Sequence, residues 1–201
     1  MTKPYRVTGE SRYLGLPLGF GFLGLSHLFS AYTFFAPPAY RDEVVWFQLS
    51  ARSFAFAFLA LTYYFSKKPS KNSRLWWNIT LSVLVVALLM CFILAGISSQ
   101  LASTAYRAGE IYARLFNVIC LTYISIHIVR VYLKKHEPRK GRIALGFIQF
   151  AISQALLIIW AAYVNYTAFW VAMALLLSGL CFIVVVSYQA FYRPKKEQGY
   201  E

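Results

Sequence analysis

Apolar residues fall into six stretches of about twenty along the chain, separated by short polar segments. Because an α-helix rises about 1.5 Å per residue, about 20 apolar residues cross a hydrocarbon layer about 30 Å thick. The pattern therefore predicts six transmembrane helices. They cover residues 13–36, 44–65, 75–97, 109–133, 143–164 and 168–192.

A membrane β-barrel is the alternative, and it requires segments of about ten residues in which apolar and polar side chains alternate. Runs such as residues 83–89, Val-Leu-Val-Val-Ala-Leu-Leu, do not alternate. The predicted fold is all-α: an integral membrane bundle of six helices, which consecutive pairing would arrange as three helical hairpins. The predicted domains are a tail at 1–12, the membrane domain at 13–192 and a basic tail at 193–201.

Composition and charge agree with this fold. Hydrophobic residues make up 59% of the chain and charged residues 13%, against roughly 45–50% and 25% in soluble domains. Sixteen of the 20 Lys and Arg residues lie in the two tails, in the second loop, or in the fourth loop and its approach at Arg130, and these places share one side of a six-span protein. By the positive-inside rule, this side and both termini are cytoplasmic.

The net charge of +13 also raises the question of nucleic acid. Basic loops that face anionic lipid headgroups account for the excess, so no nucleic-acid partner is predicted. The expected partners are the bilayer, its anionic headgroups at the basic loops, and a membrane protein or a second copy of the chain.

Besides Arg130 near the end of the fourth span, three charged residues lie inside the predicted spans, where a charge costs roughly 2.5–3.5 kcal/mol on insertion scales. Arg52 is on the second helix, and Glu110 and Arg114 are spaced i, i+4 on the fourth, so these two meet on one face. At helical rise, all three fall in one layer of the outer half of the membrane. They are the strongest candidates for a functional site.

Three further polar residues extend this cluster. Gln48 lies one turn before Arg52, Asn117 continues the face of Arg114, and His27 on the first helix falls at a similar depth. Two arginines against one glutamate favour an anionic ligand, such as a carboxylate, a phosphate headgroup or another polar ligand. In the alternative, the arginines snorkel to outer headgroups or bind backbone carbonyls, and the cluster is structural.

The remaining polar and sulfur-containing residues favour structural roles. Cys91, Cys120 and Cys181 lie inside spans and are expected to be buried, without metal or disulfide spacing. His27 and His127 belong to opposite halves of the bilayer, so they cannot share a haem. Hydrogen bonds between helices are the expected role of polar residues on the fifth helix, Gln149, Ser153 and Gln154.

No reaction motif is present: the chain has no zinc-protease signature, nucleophile elbow, phosphate-binding loop or pair of intramembrane aspartates. No catalytic residue, metal or cofactor is therefore predicted, and an enzyme is disfavoured. A selective channel lacks support too, because there is neither an Arg-rich helix nor a Gly-rich filter.

Small residues and a short repeat complete the pattern. Gly15 and Gly19 on the first helix form a small-xxx-small pair that predicts close packing against a neighbour. Residues 51–54, Ala-Arg-Ser-Phe, match residues 113–116, Ala-Arg-Leu-Phe, and both continue into an apolar stretch with Leu-Thr-Tyr. An internal repeat of helical hairpins would explain this similarity. The basic segments at the ends of these helices would also align without a repeat, because the positive-inside rule puts them on the same side of the membrane.

The Gly-rich first helix with its Leu25-Ser26-His27, and the Ala-Arg-x-Phe helices with Tyr-rich, Lys-terminated ends, resemble the multi-span input domains of prokaryotic membrane sensor proteins. This resemblance implies a non-enzymatic sensor-like module, or an accessory subunit of a membrane complex, that acts through a partner. It assigns no ligand to any residue. A small transporter with a polar site in the outer half of the bilayer and a membrane enzyme are the alternatives.

Overall fold

The computed structural model describes residues 15–33, 35, 37, 41–66, 73–97, 99–136 and 138–192. The predicted tails at 1–12 and 193–201 lie outside these residues. Within the described residues there is no strand, which confirms the all-α fold. The helices are α1 (Gly15–Tyr32), α2 (Arg41–Ser66), α3 (Ser73–Ile97), α4 (Ser99–Lys135), α5 (Pro138–Tyr163) and α6 (Tyr166–Tyr192).

Among the residues that the structure describes, five helices are long and apolar enough to cross a membrane, by length and composition. Their candidate spans are Glu43–Phe65, Leu75–Ile93, Ala108–Lys134, Lys140–Tyr163 and Tyr166–Val186. In its described part α1 has 18 residues, four of them glycine and three of them serine or histidine, and it is not among the five. Its length is about 27 Å at helical rise, close to the thickness of a hydrocarbon core. The sixth span therefore stays a prediction.

The helix bounds differ from the predicted spans at the polar ends. Helix α4 begins at Ser99, ten residues before the predicted span. Hydropathy locates the part of a helix that contacts lipid, whereas backbone hydrogen bonds continue the helix into polar sequence. Pro138 is the first residue of α5, a position where its fixed φ and missing N–H are tolerated.

Successive helices run in opposite directions. Gly15 of α1 lies against Thr62 near the end of α2, and Ser26 lies against Arg52. Rings of Phe65 and Trp77, one near the end of α2 and the other near the start of α3, are 5.4 Å apart. We call the end of the bundle at which α2 and α4 end and α3 and α5 begin the basic end.

Glycines set the closest approaches between helices. A Cβ on Gly19 would lie 2.6 Å from Cγ of Leu59 and 3.1 Å from the carbonyl oxygen of Ala55, both on α2. A Cβ on Gly179 of α6 would lie 2.9 Å from the carbonyl oxygen of Gly146 on α5. The predicted role of the Gly15–Gly19 pair in packing is confirmed.

Helices α2 and α4 lie side by side and run in the same direction. Trp46 covers Gly109 near one end, and the rings of Tyr63 and His127 are 5.4 Å apart nearer the basic end. Helix α4 also packs antiparallel against α5, which in turn packs against α6. Five helices thus share one core. Its buried residues are Leu23, Ala55, Phe56, Leu59, Cys120, Leu121, Ile124, Ile128, Ala144, Phe147, Phe150 and Ile183.

Helix α3 lies at the edge of the bundle. It packs along α2 but makes few contacts with α4, the next helix in the chain. The first and last helix pairs therefore form packed hairpins, whereas α3 and α4 barely touch. Cys91 on α3 and Cys181 on α6 are exposed, which corrects the prediction that they are buried; only Cys120 is. Both helices present most of their surface outward, because each packs mainly against one neighbour.

Candidate functional site

Six buried polar residues from four helices form what we call the polar layer. Each is at most 7% exposed. They are Ser26 of α1, Arg52 of α2, Glu110, Arg114 and Asn117 of α4, and Gln154 of α5. Groups of this kind are costly to bury in an apolar bundle unless they meet partners, so their contacts decide what the layer does.

Arg52 reaches across the interface between α1 and α2. Its Nε donates a hydrogen bond to Oγ of Ser26 over 3.2 Å, and Ser26 is fully buried. The glycine face of α1 brings the two backbones close enough for this contact. His27 is half-buried beside Ser26 and lies near enough to the Arg52 guanidinium to interact with it electrostatically.

Glu110 and Arg114 form a buried ion pair along one face of α4. Nε of Arg114 donates to Oε1 of Glu110 over 2.9 Å, and Nη2 of Arg114 donates to the same oxygen. The predicted i, i+4 contact is therefore present. This pairing lets both charges lie in the interior of the bundle, because each reduces the desolvation cost of the other.

Two atoms of the polar layer are buried without a hydrogen-bond partner in the described part of the chain. One is Nη1 of Arg114, the guanidinium nitrogen that Glu110 does not engage. The other is Oδ1 of Asn117, whose Nδ2 donates over 3.5 Å to Oε1 of Gln154 on α5. A cationic donor and an amide acceptor thus stand about one turn apart on α4, both enclosed by protein, and a group that offers an acceptor and a donor would satisfy them.

The two arginines lie at the same depth in the bundle. Because α2 and α4 run in the same direction and Trp46 lies against Gly109, Arg52 and Arg114 come five to six residues further along their helices. The prediction that these side chains share one layer agrees with this register. The two matching tetrapeptides of the sequence are therefore neighbours in space.

The other predicted site residues fit less closely. Gln48 is half-buried one turn from Arg52 and makes no hydrogen bond to the polar layer within the described ranges. The predicted site residues did not include Ser26 or Gln154. Gln154 was expected to form a hydrogen bond between helices, as it does. That role is confirmed for Ser153 and Gln149 as well: the Ser153 hydroxyl donates to the Ala172 carbonyl over 2.9 Å, and Gln149 accepts from Ser178 over 3.3 Å.

Residues able to bind metal are scattered. Among the residues that the structure describes, no three His, Cys, Asp or Glu side chains are close enough together to hold a metal ion. His127 is buried near the basic end, where its ring packs against Tyr63, while His27 lies on α1 beside the polar layer.

Comparisons of the chain with known protein families, with curated proteins and with solved structures find no match.

Proposed function

We propose that this chain is a non-enzymatic sensor-like module of a prokaryotic plasma membrane that binds a small carboxylate in the polar layer and signals through a membrane partner. The observation that carries the proposal is the unsatisfied pair Nη1 of Arg114 and Oδ1 of Asn117. A carboxylate accepts from the guanidinium, and a hydroxyl next to that carboxylate donates to the amide oxygen.

A response to the ligand follows from the chemistry of Arg114. A ligand carboxylate competes with Glu110 for the same guanidinium, and both unsatisfied atoms are enclosed by protein, so binding requires neighbouring helices to shift. Helix α4 continues without a break from Glu110 to Lys135. A displacement of α4 at the polar layer is therefore carried to the basic end, where a partner can detect it.

Continuity of the helices favours a sensor over a transporter. Substrate sites of secondary transporters are typically formed by helices broken near the middle of the membrane. Helices α2, α4 and α5 are continuous through Arg52, Arg114 and Gln154 respectively. An accessory subunit of a membrane complex remains consistent with the same features, because it too acts through a partner.

Lactate will raise the melting temperature of the purified protein in detergent, at constant ionic strength maintained with chloride. A ligand at a hundred times its Kd stabilises by about 2.7 kcal/mol, which is roughly 5–10 °C for a chain of this size. Propionate, which lacks the hydroxyl, should give a smaller shift because Oδ1 of Asn117 then stays unpaired.

Two variants serve as tests of the lactate shift. Arg114→Gln should abolish it, whereas Arg142→Gln should keep it, because Arg142 is exposed and bonds to Gln189 far from the polar layer. An equal shift in wild type and Arg114→Gln would show that lactate binds elsewhere or acts on the solvent. No shift with lactate would contradict a hydroxycarboxylate as the ligand.

We also propose that all six helices span the membrane, with both termini and the basic end cytoplasmic. Support comes from the alternating helix directions and from the Lys and Arg residues of segments 67–74 and 134–142. In a cysteine-free background, an impermeant maleimide applied to whole cells should label Tyr166→Cys but reach His136→Cys only after permeabilisation. An N-terminal tag should behave like His136→Cys; if it is accessible from outside, α1 does not cross.

A further inference from the structure

The two unsatisfied atoms of the polar layer belong to neighbouring side chains on one face of α4. Nη1 of Arg114 and Oδ1 of Asn117 are each buried without a hydrogen-bond partner among the residues that the structure describes. Side chains spaced i, i+3 on a helix have Cβ atoms about 5–6 Å apart. Because helical side chains lean toward the N-terminus of their helix, that of Asn117 lies over the turn that contains Arg114. A donor and an acceptor within reach of each other are therefore both unpaired.

Arg114 does not bond to Asn117 because its guanidinium is held in the opposite direction along α4. Its Nε and Nη2 both donate to Oε1 of Glu110, four residues before Arg114. A guanidinium is a rigid planar fork, so these two bonds also fix the direction in which Nη1 points. Arg114 thus lies between two acceptors on its own helix, a carboxylate one turn before it and an amide oxygen one turn after it.

The charge of Glu110 decides which of these acceptors binds the guanidinium. An ionised carboxylate attracts the guanidinium strongly in an apolar interior and a neutral amide does not, so ionised Glu110 holds Arg114 although two atoms stay unpaired. A protonated carboxyl carries no charge, and one of its oxygens becomes a donor. The amide oxygen of Asn117 is then the better acceptor, because moving Nη1 to it satisfies both unpaired atoms at once.

Glu110 is the acid of the polar layer, so its proton controls this choice. The helices that pack most closely against α4 are α2 and α5. The charged side chain of α2 at this depth is Arg52, and His27 of α1 lies beside it. Helix α5 has no titratable residue from 143 to 162, and α3 has no charged residue from 75 to 97. In the described part of the layer, no second carboxylate can replace Glu110 as the partner of Arg114.

We propose that Arg114 is a proton-operated switch with two positions on α4. It binds Glu110 while that carboxylate is ionised, and it binds Oδ1 of Asn117 after Glu110 has taken up a proton from water. Arg114 keeps its own proton in both positions. In the second position, Arg114 fills the acceptor that the ligand of the proposed function would engage, so protons oppose that ligand. Only this consequence rests on the proposed function, because the switch itself needs no ligand.

A double-mutant cycle on the purified protein in detergent, at neutral pH and without carboxylates, tests the switch. Glu110→Gln imitates the protonated side chain, and Asn117→Leu removes the second acceptor. The two residues are seven positions apart on α4, about 10 Å at helical rise. Effects at such distances normally multiply to within about twofold in the unfolding equilibrium constant. The double variant should exceed that product at least about tenfold, because Arg114 then lacks both acceptors.

Gln154→Leu is the matched control for the loss of the contact between α4 and α5. Like Asn117→Leu, it removes the hydrogen bond between Asn117 and Gln154, but it leaves Oδ1 of Asn117 available to Arg114. Combined with Glu110→Gln, its effect should therefore multiply without an excess. Simple multiplication in the Glu110→Gln/Asn117→Leu pair would overturn the switch. An equal excess in both pairs would overturn it too, because the coupling would then come from the contact between the helices.

A second measurement uses the wild-type protein, so it holds even where a variant does not fold. In protein labelled with nitrogen-15 in its arginine side chains, the Nε–H signal of Arg114 is identified by its absence from Arg114→Gln. The pH is lowered from about 8 to about 4, a range that includes the titration of carboxyl side chains in proteins. The signal should move, because Nε loses its bond to Glu110. An unchanged signal in the folded protein would overturn the proposal. Both experiments omit carboxylates, so a missing lactate shift would count against the proposed function alone.

Discussion

Replacing Glu110 with methionine will destabilise the bundle by about 3–5 kcal/mol, the typical cost of removing one partner from a buried ion pair. Arg114 is 7% exposed, and Glu110 accepts the hydrogen bonds of both its Nε and its Nη2. Methionine fills a similar volume but accepts no comparable bond, so a full charge remains buried without its counterion. The free energy of unfolding, measured by denaturant titration in mixed micelles, tests this expectation.

The double variant Glu110→Met/Arg114→Met separates charge from packing. Because it leaves no buried charge, it should cost less than Glu110→Met alone, and it can approach the stability of the wild type. If the double variant lost as much stability as the two single variants combined, the two side chains would be acting independently. The buried pair that the structure shows would then not be the cause of the effect.

Replacing Gly19 with leucine will separate α1 from α2 and cost about 3 kcal/mol, at the upper end of what overpacking usually costs. The new Cβ would lie 2.6 Å from Leu59 and 3.1 Å from the backbone oxygen of Ala55. A backbone oxygen in a helix cannot move aside, so α1 itself has to shift. That shift also lengthens the hydrogen bond between Arg52 and Ser26.

Gly24 provides the matched control on the same helix. A Cβ at Gly24 meets no atom within 4 Å, so Gly24→Leu adds similar apolar volume without a clash. It should be neutral, or stabilising by about 0.5–1 kcal/mol, because glycine lowers helix stability. Thermal unfolding followed by tryptophan fluorescence compares the two variants. Equal losses would mean that the cost arises from leucine in α1, and not from the contact with α2.

The helices of this fold were predictable because each span satisfies its own backbone hydrogen bonds, and because lipid requires a long apolar stretch. Helix ends were less predictable. The first turns of α4 after Ser99 have a polar sequence, and hydropathy detects only the apolar part of a helix. The outward orientation of Cys91 and Cys181 was missed for another reason: a span that is apolar all round does not indicate which face contacts protein.

The candidate site was predictable only within single helices. Glu110 and Arg114 follow from i, i+4 spacing, a property of one helix. The partner of Arg52 depends on which helix packs against α2 and in which register. That packing is set by Gly15 and Gly19 together with the residues of α2 that they contact. No periodicity in the sequence connects Asn117 with Gln154, 37 residues away.

The marginal position of α3 explains how two adjacent helices can run in the same direction. A chain that lays α2 beside α4 has to run back along the length of the bundle between them, as a crossover connection does between parallel strands. Helix α3 makes this return outside the shared core. Helix α3 therefore has to be long and apolar, but it needs few particular side chains. The side chains on its outer face are free to vary. Any selective constraint should then fall on α2 and α4, which hold the two arginines at one depth.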